Sequence, residues 1–272
     1  MGITGALAAE IRQSVLRQCR RANVGHIGSA LSVADIIAVL YGGVLRIPAP
    51  ADAERDRFIL SKGHAAHALY AALHARGWLT QAELDAYCGD GSPLGVHPEA
   101  GVPGIDFATG SLGHGLAMAT GAALAARLQR SQRRVFALLS DAECNEGSVW
   151  ESAMFAAHKQ LSNLVAIIDM NGQQALGLTS EILAIPNMAE RWRAFGWDAL
   201  EVDGHDPAAL DRACRSLNLE RGPPHVMVAK TTFGKGVSFM EGRLEWHYFP
   251  MSQEQFELAM AEVGADHPTG VH

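Results

Sequence analysis

The sequence predicts an α/β fold, a parallel sheet flanked by helices on both faces. Three observations carry this. Short β-type runs recur in the second half of the chain, at residues 134–139, 163–169, 197–203 and 225–231. Helical patterns separate them, at a spacing that suits crossover connections between parallel strands. The 272 residues, 48% hydrophobic and 7% aromatic, are enough for one large α/β domain with a core that buries most of its apolar surface.

The elements follow in order. Residues 5–22 are helical in pattern. "LSVADIIAVLYG" (31–42) reads as a second helix with Ser32 as its N-cap. "KGHAAHALYAALHARG" (62–77) is a third, stopped by Gly77. "TQAELDAYC" (80–88) opens with a capping box, Thr80 to Glu83. The helix at 111–130 is rich in small residues, so one side can approach another element closely. From Arg134 strands alternate with helices at 147–160 and 206–217 and a helix ending at "WRAFG". A single domain over 1–272 is expected, closed by an amphipathic helix at about 252–263.

Composition excludes several classes. Net charge is −7 and no Lys/Arg-rich block appears, which argues against a nucleic-acid partner. No apolar stretch reaches the roughly 18 residues of a membrane span. The N-terminus lacks the layout of a signal peptide, and Ala6 breaks the myristoylation pattern. Cys19, Cys88, Cys144 and Cys214 are widely spaced, without a CxxC pair. That argues against zinc or a disulfide framework and fits a reducing compartment. The expectation is a cytoplasmic protein.

"ALLSDAECNEG" (137–147) packs Asp141, Glu143 and Glu146 where an apolar run ends. Asp141 ends the first strand candidate; Asp169, Asn171 and Gly172 end the second. If those strands are neighbours, Asp141 and Asn171 meet. Carboxylate, amide and carbonyl oxygens are hard ligands suited to Mg²⁺ or Ca²⁺, too few for a closed cage, so phosphate oxygens and water complete the shell. The helix beginning near Glu146 would aim free N–H groups at the same spot, favouring a diphosphate. The plainer alternative is a helix-capping Asp141 and an Asn-Gly turn at 171. Four histidines in Gly-bearing or loop-like settings add weight to the first reading: His26 in "NVGHIGS", His64 in "LSKGHAAH", His97 in "LGVHPE" and His247 in "LEWHYF".

These segments, with "GIDFATGSLGHGLAMATGAALAA", "SDAECNEGSVWESAMFAAHKQLSNLVAIIDMNG", "WRAFGWDALEVDGHD" and "KTTFGKGVSFME", carry a resemblance running nearly end to end. The sequence resembles the thiamine diphosphate-dependent transketolases, and most closely the N-terminal, diphosphate-binding subunit of the split form. The resemblance implies that Asp141, Asn171 and the Gln173 carbonyl bind Mg²⁺, with Ca²⁺ or Mn²⁺ as substitutes. It implies that His64 and His247 contact the diphosphate, His247 also lying near the reacting carbon. His26 and His97 would exchange protons with substrate hydroxyls. Ser111, Leu112 and Gly113 would face the aminopyrimidine, with Ala142 and Glu143 beside the diphosphate. Glu146 and Glu151 match glutamates that connect two active sites across a dimer. Glu143 can also simply favour a helix start.

The implied activity is transfer of a two-carbon ketol unit from a ketose to an aldehyde. The glutamate that activates the cofactor belongs to a pyrimidine-binding domain, and nothing after residue 251 is long enough to supply one. A separate pyrimidine-domain subunit is therefore expected, in an α2β2 assembly. Two alternatives stay open: a synthase or decarboxylase related to deoxyxylulose-phosphate synthase, and a non-catalytic partner. The chain departs from the family at Ser140-Asp141-Ala142 (usually Gly-Asp-Gly), at His114 (usually Gln) and at Tyr248-Phe249 (commonly Gly-Lys). Ala142 can serve only with an ordinary φ. The last pair exchanges a cation for two aromatic rings, which predicts a larger or less charged substrate.

Overall fold

In a computed structural model, residues 3–265 are described. Helices α1 (Ile3–Ala22), α2 (Ile27–Ser32) and α3 (Ala34–Val39) precede the first strand, β1 (Arg57–Leu60). Then come α4 (Ala66–Ala75), α5 (Gln81–Asp85), α6 (Gly115–Leu128), β2 (Val135–Ser140), α7 (Gly147–His158) and β3 (Leu164–Met170). A two-stranded ribbon, β4 (Gln173–Gln174) and β5 (Gly177–Leu178), leads through α8 (Thr179–Ile182) to α9 (Met188–Ala194). The remaining elements are β6 (Asp198–Asp203), α10 (Pro207–Ser216), β7 (His225–Lys230) and α11 (Gln253–Ala265).

The main sheet is parallel throughout, in the order β1-β2-β3-β7-β6. Its alternating residues divide the core. Phe136 and Leu138 of β2, Val165 and Ile167 of β3 and Met227 of β7 pack with α1, α3, α4 and α10. Val135, Ala137 and Leu139, with Leu164, Ala166 and Ile168, pack with α6, α7 and α9. Both faces are covered, so the inner strands are apolar at nearly every position. Strand order reverses between β3 and β7, which opens a crevice at their carboxyl ends. Among the described residues no helix is long and apolar enough to cross a membrane.

Several expectations needed correction. The sequence pattern missed β1, whose four residues "RFIL" fall between the helices expected at 31–42 and 62–77. The "62–77" helix begins as a 3-10 turn, Gly63–Ala65, because the chain must turn sharply out of β1. Ser32 is no N-cap: it is the last residue of α2, and its hydroxyl donates to Asp169. Tertiary demand for that hydroxyl outweighs its local capping preference. The capping box of Thr80 and Glu83 is present, and Gly77 follows α4 at φ +71°.

The small-residue face of α6 is used where it meets β1. A Cβ on Gly115 would lie 2.2 Å from Ser61 Oγ and 2.7 Å from Ser61 Cα. Since backbone is among the atoms struck, Gly115→Ala should destabilise the chain by about 1–3 kcal/mol, as overpacking does. Calorimetric melting of the unliganded chain tests this. An unchanged melting temperature would mean that α6 can shift away from β1 at no cost.

Candidate active site

Four chain segments bring histidines to the carboxyl edge of the sheet. Beyond β1 the 3-10 turn carries His64. His26 sits just before α2 in the left-handed region, φ 61°. His247 ends a 3-10 turn, Leu244–His247, and its carbonyl accepts from His26 N at 3.2 Å. Gly25 makes this approach feasible, since a Cβ there would lie 2.4 Å from the Tyr248 carbonyl oxygen. His97 comes from the long loop before α6, where Tyr70 Oη donates to its carbonyl at 2.9 Å. The His26 ring centroid lies 5.1 Å from His247, 5.5 Å from His64 and 6.4 Å from His97. All four histidines line one cavity of about 230 Å³, with Ser29, Lys62, Leu112, Ala142, Asn171 and Gln173 among its other walls.

The floor is built from β2 and β3. Their register pairs Ser140 with Asp169, so the loops after them start side by side. Gly172 N and Thr179 Oγ1 donate to Asp141 Oδ2, at 2.9 and 3.1 Å. Asn171 Nδ2 donates to Asp169 Oδ2 at 2.8 Å, which fixes which end of the amide is the acceptor; Asn171 Oδ1 receives Gln173 N at 3.0 Å. Asp169 is the hub. Its carboxylate also accepts from Ser32 Oγ at 2.7 Å, from Thr231 Oγ1 and from Lys62 Nζ. Lys62 and Asp169 are both fully buried.

The charges in this site are held uncomfortably. Burial, then the nearby Asp169 charge, pushes the Asp141 carboxyl up to about 6. Burial, then the charges of His26 and Lys62, brings His247 down to about 4. His26 is lowered by burial, His97 and Lys62; His64 is lowered strongly by burial, Lys62 and the other three rings. Among the described residues, the hydroxyl of Ser29 and Nδ1 of His26 are buried without partners. A carboxylate that resists ionising, imidazoles that resist protonation and unpaired donors are all relieved by one kind of ligand, a polyanion carrying a cation. Among the described residues no three His, Cys, Asp or Glu side chains converge as a metal group. An ion at Asp141 would rest on one carboxylate plus amide and carbonyl oxygens, the chemistry of a hard cation completed by phosphate.

The sequence-derived set divides. His26, His64, His97, His247, Leu112, Ala142, Asn171 and Gln173 line the cavity, and Asp141 is buried behind it. Ala142 has no positive φ, so alanine is tolerated where glycine is usual. Gly113 stands at φ +88°, and its N–H donates to Glu143 Oε1 at 2.8 Å. Glu143 itself is turned onto protein: its carboxylate accepts from Ser61, Gly113 and the Ser140 N–H, and it does not line the cavity. It braces the 111–113 turn. Ser111 lies in a neighbouring cleft of about 490 Å³ with His97, Glu99 and His114. Glu146 and Glu151 are exposed on and before α7. The helix expected to start near Glu146 is preceded by a separate 3-10 turn, Ala142–Asn145, which Asp141 caps through Ala142 N. Neither Tyr248 nor Phe249 lines the cavity, so the aromatic pair does not wall it. Lys62, Ser29 and Phe233 do line it and were missed. The Lys in "LSKGH" was the one available signal for Lys62; Ser29 and Phe233 offered none beyond residue type.

Such a cavity, at the carboxyl edge of a doubly covered parallel sheet, has the chemistry of a site for a phosphorylated ligand. The transketolase thiamine diphosphate binding domain matches residues 3–270. An apulose-4-phosphate transketolase subunit from Phocaeicola vulgatus is 41% identical over 254 residues, 93% of this chain and 90% of that protein. The 6-deoxy-6-sulfo-D-fructose transketolase subunit of a Clostridium species is 37% identical over 93% of each chain. Among solved structures, the transketolase of Leishmania mexicana superposes with a TM-score of 0.90 at 30% identity over 97% of this chain, which spans 42% of that one. The chain belongs to the transketolase family and corresponds to its thiamine diphosphate binding domain.

The Lys62–Asp169 pair yields a direct test. Lys62→Met strands a buried carboxylate and should destabilise the chain by about 3–5 kcal/mol. Lys62→Met with Asp169→Asn removes both charges while keeping an acceptor for Ser32 and Thr231, and should return part of that stability. Urea unfolding of the parent and the two variants measures it. A single-variant loss under about 1 kcal/mol would show that Asp169 is neutralised by other means.

Proposed function

We propose that this chain is the diphosphate-binding subunit of a split transketolase. It moves a two-carbon ketol unit from a ketose to an aldehyde when joined to a second protein that supplies the pyrimidine end of the site. One observation carries the reading: four imidazoles converge over the Asp141–Asn171 floor. The set favours ketol transfer over a synthase or decarboxylase, since transfer between sugars needs groups that pass protons to and from several hydroxyls.

Asp141, Asn171 Oδ1 and the Gln173 carbonyl would hold Mg²⁺. His64, His247 and the unpaired Ser29 hydroxyl would receive the diphosphate, with Ala142 beside it. The turn at Ser111, Leu112 and Gly113, braced by Glu143, would meet the aminopyrimidine. Thiamine diphosphate supplies a carbon nucleophile that accepts and returns the ketol unit. The chain's own part is to bind, to orient and to manage protons. His26 and His97 would act on the substrate hydroxyls. Burial and crowding disfavour charge on His26, His64 and His247, which keeps imidazole available as a base near neutral pH. Glu146 and Glu151, exposed near the start of α7, would serve the interface between active sites.

Two relatives are named for apulose 4-phosphate and 6-deoxy-6-sulfo-D-fructose. One name carries a phosphate and the other a sulfo group, which supports an anionic ketose as the donor class. Closed symmetry supports two copies of each subunit.

The chain alone should show no ketol transfer and gain activity as a pyrimidine-domain subunit is titrated in. Full turnover by the chain alone, with mass spectrometry excluding a co-purified partner, would falsify the half-site reading. Independently, Asp141→Ala should abolish Mg²⁺-dependent binding of thiamine diphosphate to the complex, because it removes the only carboxylate proposed to ligate the ion. Calorimetric titration decides, and parent-like affinity would move the cation elsewhere.

A further inference from the structure

Tyr248 directly follows the cavity residue His247, yet does not itself line the cavity. Its hydroxyl instead donates to the carbonyl of Ala175, at the tip of the β4–β5 ribbon. That ribbon begins at Gln173, directly after Asn171 and Gly172.

We propose that Tyr248 is a positioning residue for the cation loop, a latch that holds the β4–β5 ribbon against the His247 segment and so fixes the Gln173 carbonyl and the Asn171 amide. The inference rests on the proposed cofactor site and adds what sets its geometry. A ribbon of two residues per strand is marginal by itself and needs outside ties. Gln173 Nε2 donates to Gly242 O at 3.0 Å, Gln174 Nε2 to Asn145 Oδ1 at 2.9 Å, and Thr179 Oγ1 to Asp141 Oδ2 at 3.1 Å. These hold the base of the ribbon. Its tip is exposed at Ala175 and Leu176, and the Tyr248 hydroxyl is the side-chain tie made there among the described residues.

Tyr248 is suited to the task because its backbone is fixed. Its N–H donates to Glu245 O at 3.1 Å, its carbonyl abuts Gly25, and its ring packs edge-on against His247 with centroids 5.1 Å apart. Only two side-chain torsions remain, so little freedom is lost in placing the hydroxyl. Because the same residue touches His247, one side chain ties the cation loop to the imidazole proposed to receive the diphosphate.

Tyr248→Phe deletes the hydroxyl and keeps the ring. Hydrogen exchange over residues 172–178 of the metal-free chain should become faster in the variant. In the complex, the Mg²⁺ concentration giving half-maximal thiamine diphosphate binding should rise about threefold to tenfold, the weight of one net hydrogen bond. Excess Mg²⁺ should restore parent affinity for the cofactor, and the melting temperature of the metal-free chain should stay unchanged. That split separates positioning from general stabilisation. Unchanged exchange at 172–178, or an unchanged Mg²⁺ requirement, overturns the latch. Should the parent complex bind no cofactor with Mg²⁺, the functional reading fails instead, and the exchange measurement still decides whether the latch exists.

Discussion

The site depends on one buried carboxylate. Asp169 lies near the carboxyl end of β3, beside Ala229 of β7, and gathers donors from four places at once: Ser32 on α2, Lys62 after β1, Thr231 after β7 and Asn171 after β3. A buried carboxylate is tolerated only when its lone pairs are filled and its charge is balanced. That requirement draws four separate chain segments to one point. His26 lies six residues before Ser32, His64 two after Lys62, and Phe233 two after Thr231. The histidine cluster is thus assembled around an interaction in which no histidine takes part.

The same interaction sets the electrostatics. Balancing Asp169 with Lys62 leaves a cation beneath the cavity, and that cation helps to keep His26, His64 and His247 uncharged. The Asp169 charge, in turn, makes ionisation of Asp141 harder. Each effect would be eased by the dication proposed at Asp141 and the polyanion proposed under the imidazoles. Local strain of this kind is a usual feature of binding sites, offset by packing elsewhere. Here the offset comes from two apolar layers that bury both faces of the sheet.

Departures from the family pattern are absorbed by local chemistry. Ser140, where the family resemblance leads one to expect glycine, accepts from Glu143 N through its hydroxyl oxygen at 3.1 Å, while Ala142 adopts an ordinary φ. Glu143, which looked like one more acid at a helix start, is an internal brace joining Ser61, the 111–113 turn and the end of β2. Burial raises its pKa, and three hydrogen bonds to its carboxylate work against that rise.

The sequence alone determined the architecture and the main cast. Alternation of apolar runs with helices specified a parallel sheet, because only strands buried on both faces have such composition. Asp141 and Asn171 were legible because strand ends are marked by an abrupt change from apolar to polar residues. The histidines stood out by their glycine-bearing neighbours and by family resemblance. Only the tertiary structure decided what those residues do to one another. Strand β1 escaped notice because four residues carry too little periodicity to separate a strand from a helix approach. Lys62 and Ser32 could not be assigned, since their partner Asp169 lies 107 and 137 positions away and no local pattern encodes such a pairing. Tyr248 and Phe249 were read as cavity walls because sequence fixes which residue follows His247 but not which way its side chain leaves the backbone. In the fold the Tyr248 hydroxyl reaches the Ala175 carbonyl, a partner 73 positions away that no local pattern encodes.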